Sequence, residues 1–368
     1  MESLRPAIAA LRLSASRQVS RPSHPQQSYR CLHASATRCA TPLPHPSVPG
    51  PPPETPSPSA SDALHRVARK QKQAEMLKQA KEIRSPSAKT KTVLQKRFWK
   101  DVSIKETPEG LQIFLDARPV RTPTKEILTI PSSKPQLAAA IALEWDLLVS
   151  AQQALKTHLI PLTSLTSRAR DIQIADAEGD NKIRQAIITV MMRYLSTDTL
   201  LCWAPENVQN ELPQDGLTLR QTQMKLSAPI IAELTTKVWP GVEIKPILEP
   251  DSFMPVPQPD NTQSVIRGWM SGLPAYELAG LERAVLASKS LLVGARLVHE
   301  WSETFAMSRA DAGASAERFG IEEAAAASST EVRWQTRQWG EVDDTHDVEK
   351  EDMRRQLGSV VLLVSGTA

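Results

Sequence analysis

Residues 97–131 read RFWKDVSIKETPEGLQIFLDARPVRTPTKEILTIP, and the fold turns on where this stretch breaks. Val102 and Ile104 alternate with polar residues. Leu111, Ile113 and Leu115 alternate again after Thr107-Pro108-Glu109-Gly110. Period two on both sides of a Pro/Gly turn predicts a β-hairpin. A second turn surrounds Asp116-Ala117-Arg118-Pro119, and Leu128-Thr129-Ile130 gives another strand ended by Pro131. The stretch is therefore read as a β-meander of three or four strands.

After Pro131 the period changes. Ser132 or Ser133 can cap a helix with Pro135 in its first turn, and Leu137, Ile141, Trp145 and Leu148 mark its buried stripe. From there the pattern stays helical. Helices are expected over roughly 162–175, 181–195, 217–237, 261–271, 274–288, 290–305, 308–312 and 328–339, separated by loops such as the proline-rich 249–257. The apolar run Val360–Val364 should pack back as a last strand or helix. Residues 311–327 are alanine-rich and read as a surface insertion. The fold class is α+β: a small β-rich N-terminal domain over 93–160, then a larger all-helical C-terminal domain over 161–368.

Upstream the composition differs. All eight tryptophans lie from Trp99 onward, which marks where the core begins. Residues 1–53 hold six arginines and one acid, with Leu4, Ile8 and Leu11 at helical spacing. Residues 1–50 thus look like a mitochondrial transit peptide. Residues 42–58 contain nine prolines and read as an extended linker, followed by a basic stretch to residue 92 that is expected to be a fraying helix or disordered. Residues 62–100 carry 12 Lys/Arg against three acids. Residues 101–368 are left with 26 basic and 36 acidic residues, a balance of −10. An acidic body disfavours nucleic-acid binding there.

Length and composition bound the rest. A chain of 368 residues suggests about two domains plus tails. No run of 18 apolar residues occurs, so no membrane insertion is expected. Cys31, Cys39 and Cys202 form no CxxC pair. No Walker A, GxGxxG, GxSxG or HExxH is present. The richest chemistry is a run of seven acids between Glu341 and Asp352 around His346 and Lys350. Asp343, Asp344, His346 and Asp347 could supply part of a metal site, but partner histidines are scarce. His346 reads rather as a polar residue packing at the start of a terminal helix. No catalytic residue, metal or cofactor is expected. A metal-dependent helical hydrolase remains the enzymatic alternative. A matrix RNA-binding protein using 62–100 is the other, although that arm lacks aromatic residues for stacking on bases.

Six stretches come in order: Arg97–Ile104, Leu115–Pro123, Ile141–Asp146, Ile160–Leu165, Tyr194–Thr199 and Gln335–Gly340. Together they resemble the mitochondrial assembly chaperone family of the ATP synthase F(1) sector, the type acting on the alpha subunit. The resemblance covers about residues 97–364. It implies a monomeric matrix protein that binds unassembled alpha subunit, prevents its aggregation, and yields it to the beta subunit. It also implies a β-rich part followed by a helical part, without catalysis or cofactor.

The same resemblance assigns residues. Glu331 matches the glutamate preceding the family's glutamine-plus-WG motif, and Glu341, Asp343, Asp344, His346 and Asp347 match the acidic motif after it. Glu331, Glu341, Asp343, Asp344 and Asp347 are the expected client-binding residues. Trp339 and Gly340 are the motif itself, with Trp339 expected to be mostly structural. Trp145 is expected to anchor the core where the two domains join, and Asp116 to be structural in its turn. Ala117 stands where the family usually has a glycine or another turn-tolerant residue, which predicts local strain if that position needs φ > 0. Thr330 and Val332 depart from the family pattern beside Glu331.

Overall fold

The computed structural model describes residues 96–206, 216–248, 254–306, 318–342 and 345–367, with Lys70 and Glu75. The expected transit peptide, almost all of the linker, the helix expected at 308–312, and Asp343 and Asp344 lie outside the described residues.

Strand β1 (Val102–Thr107) pairs antiparallel with β2 (Gly110–Leu115), with Thr107 opposite Gly110 and Val102 opposite Leu115. Pro108-Glu109 makes the loop between them. Gly110 has φ 135°, and a Cβ there would lie 2.3 Å from the Ile130 carbonyl oxygen, so only glycine fits. β2 is the centre of the sheet. It also pairs with β3 (Arg118–Pro119) and with β4 (Thr129–Ile130), which sets Leu111 opposite Ile130. Ile113, Leu115, Leu128 and Ile130 point inward onto Trp99 and Val120. β1 is an edge strand whose middle, Ser103–Glu106, is exposed. Its charges Lys105 and Glu106 blunt that edge.

The β2–β3 turn corrects one expectation. The left-handed residue is Asp116 (φ 54°), and Ala117 is not among the positive-φ residues. Aspartate tolerates that region where alanine would not. Asp116 Oδ1 accepts from the N–H groups of Lys100 (3.1 Å) and Asp101 (2.9 Å), tying the chain's entry to the turn. Those two bonds, Asp101's the stronger influence, hold its carboxyl below the usual aspartate range.

Helix α1 (Pro135–Leu147) follows the sheet and buries Leu137, Ala138 and Ile141. Its cap is Lys134, which makes no side-chain cap bond, rather than Ser132 or Ser133. Ser133 Oγ instead donates to Glu303 Oε1 at 3.2 Å. A 3₁₀ turn (Ala151–Leu155) leads to α2 (Pro161–Glu178), which ends at left-handed Gly179. Next come α3 (Lys182–Leu195) and α4 (Leu219–Glu233), which opens on the Thr218/Gln221 capping box. α4 carries Pro229 inside it and widens into a π-helical turn (Leu234–Val238). Then follow α5 (Asp260–Gly272), α6 (Ala275–Ser288) and α7 (Leu291–Trp301) with a 3₁₀ turn (Glu303–Phe305). The described chain ends with α8 (Ile321–Ser328), α9 (Thr330–Trp339) and α10 (His346–Val364).

α6 is the hub. Tyr276 through Leu281 are all buried, as expected for a helix covered on every side. α10, α7 and α2 pack against it. Gly280 sets the α6–α10 spacing, because a Cβ there would lie 2.7 Å from Val364 Cγ1. The terminal apolar run is thus helical, with Val360, Leu363 and Val364 buried. The residues buried under the sheet and those around α6 belong to one hydrophobic cluster, which α1 connects.

The alanine-rich stretch is the second correction. Its described part is not a surface insertion, because Ala324, Ala325 and Ala327 of α8 are buried. α8 packs on α10 and α7, and small side chains let helices approach closely. The helix expected over 328–339 is found as α9, two residues shorter at its start, and α8 is a separate helix that ends at Ser328 just before it.

Candidate interaction surface

The motifs carrying the resemblance divide into those that hold the frame and those that face outward. Glu144-Trp145-Asp146 holds the frame. Glu144 accepts the N–H groups of Leu162 (2.7 Å) and Thr163 (3.0 Å) and the Thr163 hydroxyl (2.9 Å). It supplies the N-terminal cap that Ile160 cannot give α2. Burial is the largest influence on its carboxyl and raises the pKa against those bonds. Trp145 Nε1 donates to Thr163 Oγ1 at 3.0 Å, and its ring meets Trp99 edge-on at 5.5 Å. Arg97 Nη1 donates to the Asp146 carbonyl at 2.7 Å. The three residues clasp the start of the sheet, α1 and α2.

Tyr194–Thr199 also serves the frame. Asp198 is fully buried and accepts from the N–H of Leu200 (3.0 Å) and of Leu292 (3.0 Å). It fastens the end of α3 to the start of α7. Burial pushes its carboxyl up to about 6, although the surrounding donors favour the ionised form. Next to it runs a narrow cleft of about 130 Å³ lined by Thr199, Leu200, Gln223, Ala327, Glu331 and Val332 among others. Two motifs far apart in sequence meet there. The Cys202 thiol is pushed up first by burial, then by the Asp198 and Glu331 carboxylates.

Glu331 sits in the first turn of α9, exposed, where a carboxylate complements the helix dipole. It accepts from Gln335 Nε2 one turn on, at 3.1 Å. Trp339 closes the helix about 12 Å further along the axis, eight residues at about 1.5 Å each. Its indole is 68% exposed, so it does not serve the core as expected. Trp334, five residues earlier, is 7% exposed. Five residues at about 100° each turn the second ring well away from the first, so one α-helix cannot bury both against the same core.

Past Trp339 the chain makes an elbow. Gly340 adopts φ 85° and ψ 164°, a region that is essentially glycine-only. The Val342 N–H donates to His346 Nδ1 at 3.0 Å, and Lys350 pairs with Glu341 at 3.0 Å. His346 opens α10 as a polar residue holding the bend, with Asp347 and Glu349 in the first turn. Val342 and Val348 are each 60% exposed. The elbow thus presents Trp339, Val342 and Val348 among Glu341, Asp347 and Glu349. Glu341 and Asp347 lie on either side of this bend, with Glu331 further up α9. Apolar groups rimmed by polar ones mark interaction surfaces.

Among the described residues no group of three or more His, Cys, Asp or Glu could hold a metal ion. No described helix is long and apolar enough to cross a membrane. Lys134 and Asp198 were not singled out by sequence reasoning, yet they are 2% and 0% exposed.

Comparison with known proteins shows the family. The family model described as ATP12 chaperone protein matches residues 96–235. The mitochondrial protein atp12 of Schizosaccharomyces pombe is 30% identical over 268 residues, covering 73% of this chain and 81% of that protein. The mitochondrial protein ATP12 of Saccharomyces cerevisiae is 32% identical over 282 residues, covering 72% and 82%. The crystal structure of Atp12 from Paracoccus denitrificans shares the fold, with a TM-score of 0.54 at 23% identity over 74% of this chain and 99% of that one. By its similarity to these relatives, the chain belongs to the ATP12 chaperone family.

Proposed function

We propose that this protein is a mitochondrial chaperone for assembly of the ATP synthase F(1) sector. It binds unassembled alpha subunit in the matrix, as a monomer, and holds it until the beta subunit takes its place. Glu331, Glu341 and Asp347, with Asp343 and Asp344, form the polar part of the contact. The family membership supports the class of function. The observation carrying the site is the elbow, where Trp339, Val342 and Val348 stand in solvent beside carboxylates.

The physics suits a holdase. A subunit waiting for its partner exposes apolar surface that aggregates. Covering it needs only a complementary surface and a better competitor for release. Apolar contact supplies affinity; the carboxylates steer encounter and restrict the choice of client. No catalytic group, cofactor or nucleic acid enters this reading.

The test is capture of the tagged full chain from mitochondrial extract, with retained proteins identified by mass spectrometry. Alpha subunit without beta is the expected result. Retention of no ATP synthase subunit, or of RNA-bound proteins in its place, would overturn the proposal.

A further inference from the structure

The other side of α9 carries the opposite charge. A groove runs between α4 and α8–α9, made of two hollows of about 840 and 310 Å³ that share Leu226 and Arg333. α4 contributes Lys225, Leu226 and Pro229 to its wall. α9 contributes Arg333, Trp334 and Arg337, positions three and four apart on one helix face. Ala326 and Ala327 of α8 leave room between them. Pro229 has no N–H to offer the Lys225 carbonyl, so α4 is irregular where it borders the groove.

The charges define what fits. Three cations, Lys225, Arg333 and Arg337, line one end of the groove. Among the described residues, Lys225 and Arg333 form no ion pair, whereas the cations Arg296 and Arg354 further along are paired with Glu300 and Glu322. Lys225 and Arg333, like charges beside an apolar floor, repel one another until an anionic partner arrives. The body around them is acidic, and Glu233, Glu322 and Glu323 line the larger hollow, so the reversal of sign is local to the Lys225–Arg333 end. A small free anion would leave the apolar wall uncovered. The chain's own upstream segment, at +9 over 62–100, has the wrong charge.

We propose that this groove receives an acidic amphipathic helix of the client. Its apolar side chains, spaced i, i+3, i+4 and i+7, enter between α4 and α9, and its carboxylates meet Lys225 and Arg333. α9 then reads the client with both faces: carboxylates toward the Glu331 side and guanidinium groups toward the groove. Only the source of the helix rests on the chaperone reading; the groove's preference for an acidic helix stands apart from it.

The probe is a fluorescein-labelled peptide of about 18 residues, roughly five turns, with leucine at the four apolar positions and glutamate elsewhere. A twin carries lysine in place of every glutamate. Binding to the full chain is read by fluorescence anisotropy. The expected result is that the glutamate peptide binds, the lysine twin does not, and added salt weakens the complex. Lys225→Glu with Arg333→Glu should lower affinity at least tenfold without moving the melting temperature, since both side chains are exposed. The milder Arg333→Gln should give an intermediate loss. Lys105→Ser, an exposed cation on the edge strand β1, should leave peptide affinity unchanged. Equal binding of the two peptides, or undiminished binding by the double variant, overturns the groove. If the peptide binds but purified alpha subunit is not captured, the groove stands and the chaperone reading fails. If wild type and double variant capture alpha subunit equally, the groove's assignment to the client fails.

Discussion

Lys134 Nζ lies 2.7 Å from Glu303 Oε1 and also donates to the carbonyls of Val364 (3.0 Å) and Ser365 (3.1 Å). An ammonium has three N–H donors, and here each has an acceptor. The lysine is 2% exposed, and it joins the start of α1, the turn after α7 and the last carbonyls of α10. A cation at a helix C-terminus also complements the dipole. Removing one partner of a buried pair leaves the other unsatisfied, at about 3–5 kcal/mol. Lys134→Met should fall near the lower end, because the Glu303 side chain keeps 20% of its exposure. Chemical denaturation should show the loss as a lower midpoint. A midpoint within error of wild type would mean that α10 is held by Gly280 packing alone.

Asp198 gives stability a pH dependence. Its carboxyl titrates near 3.8 when unfolded and about 6 when folded, because burial penalises the charged form. The native state therefore holds that proton more tightly. The contribution is full below 3.8 and is lost as pH rises through 6. Between pH 4.5 and 7 the loss amounts to about 2 kcal/mol. Asp198→Asn removes the titration and adds a constant cost, since its amide turns donors toward the N–H groups of Leu200 or Leu292. The stability difference between wild type and Asp198→Asn should shrink as pH rises across that window. A flat difference would show that the folded carboxyl is not raised.

The clasp at Glu144 and Trp145 should behave as fold, not as contact. Trp145 is half-buried between Trp99 and Thr163, so Trp145→Ala should cost about 3 kcal/mol. Trp145→Phe keeps an aromatic ring but loses part of the indole's packing and its one hydrogen bond, the bond alone being about 1 kcal/mol. Glu144→Ala uncaps α2 at about 1–2 kcal/mol. Melting temperature and client capture should fall together in this series. Capture lost at unchanged melting temperature would move Trp145 to the client surface.

The strand–helix switch after Pro131 was legible because period two gives way to period 3.6 within a few residues. Helix positions were legible too, since apolar stripes survive without knowledge of partners. What packing decides was not legible. Alanine richness looks alike in a loose insertion and in a close helix contact, and only the neighbours α7 and α10 show that α8 is the latter. The tryptophans near the C-terminus carried a usable signal, their five-residue spacing, which an α-helix cannot place on one face. Lys134 gave none, because its three acceptors come from distant parts of the chain. The acid run was visible as a run, but the bend beside Glu341 depends on the Gly340 backbone and on the Val342–His346 bond.

Glu331 allows contact to be separated from support. Its side chain is exposed, and its hydrogen-bond partner Gln335 lies on the same helix. Glu331→Lys should therefore change stability by no more than about 0.5 kcal/mol, as exposed substitutions do. A lysine in the first turn of α9 opposes the dipole, so the change should be a small destabilisation. On the proposed contact, client capture should fall much further than stability, because the carboxylate becomes a cation of the wrong sign. Gly340→Ala makes the contrast. Its φ of 85° strains any other residue by about 1–3 kcal/mol, so this variant should lose melting temperature and capture together. The two variants, compared by circular dichroism melting and by capture of purified alpha subunit, give a clear reading. If Glu331→Lys unfolds the chain, the carboxylate supports the fold through the Cys202 cleft and the contact assignment is wrong. If it melts like wild type and still captures alpha subunit, the contact lies elsewhere on the chain.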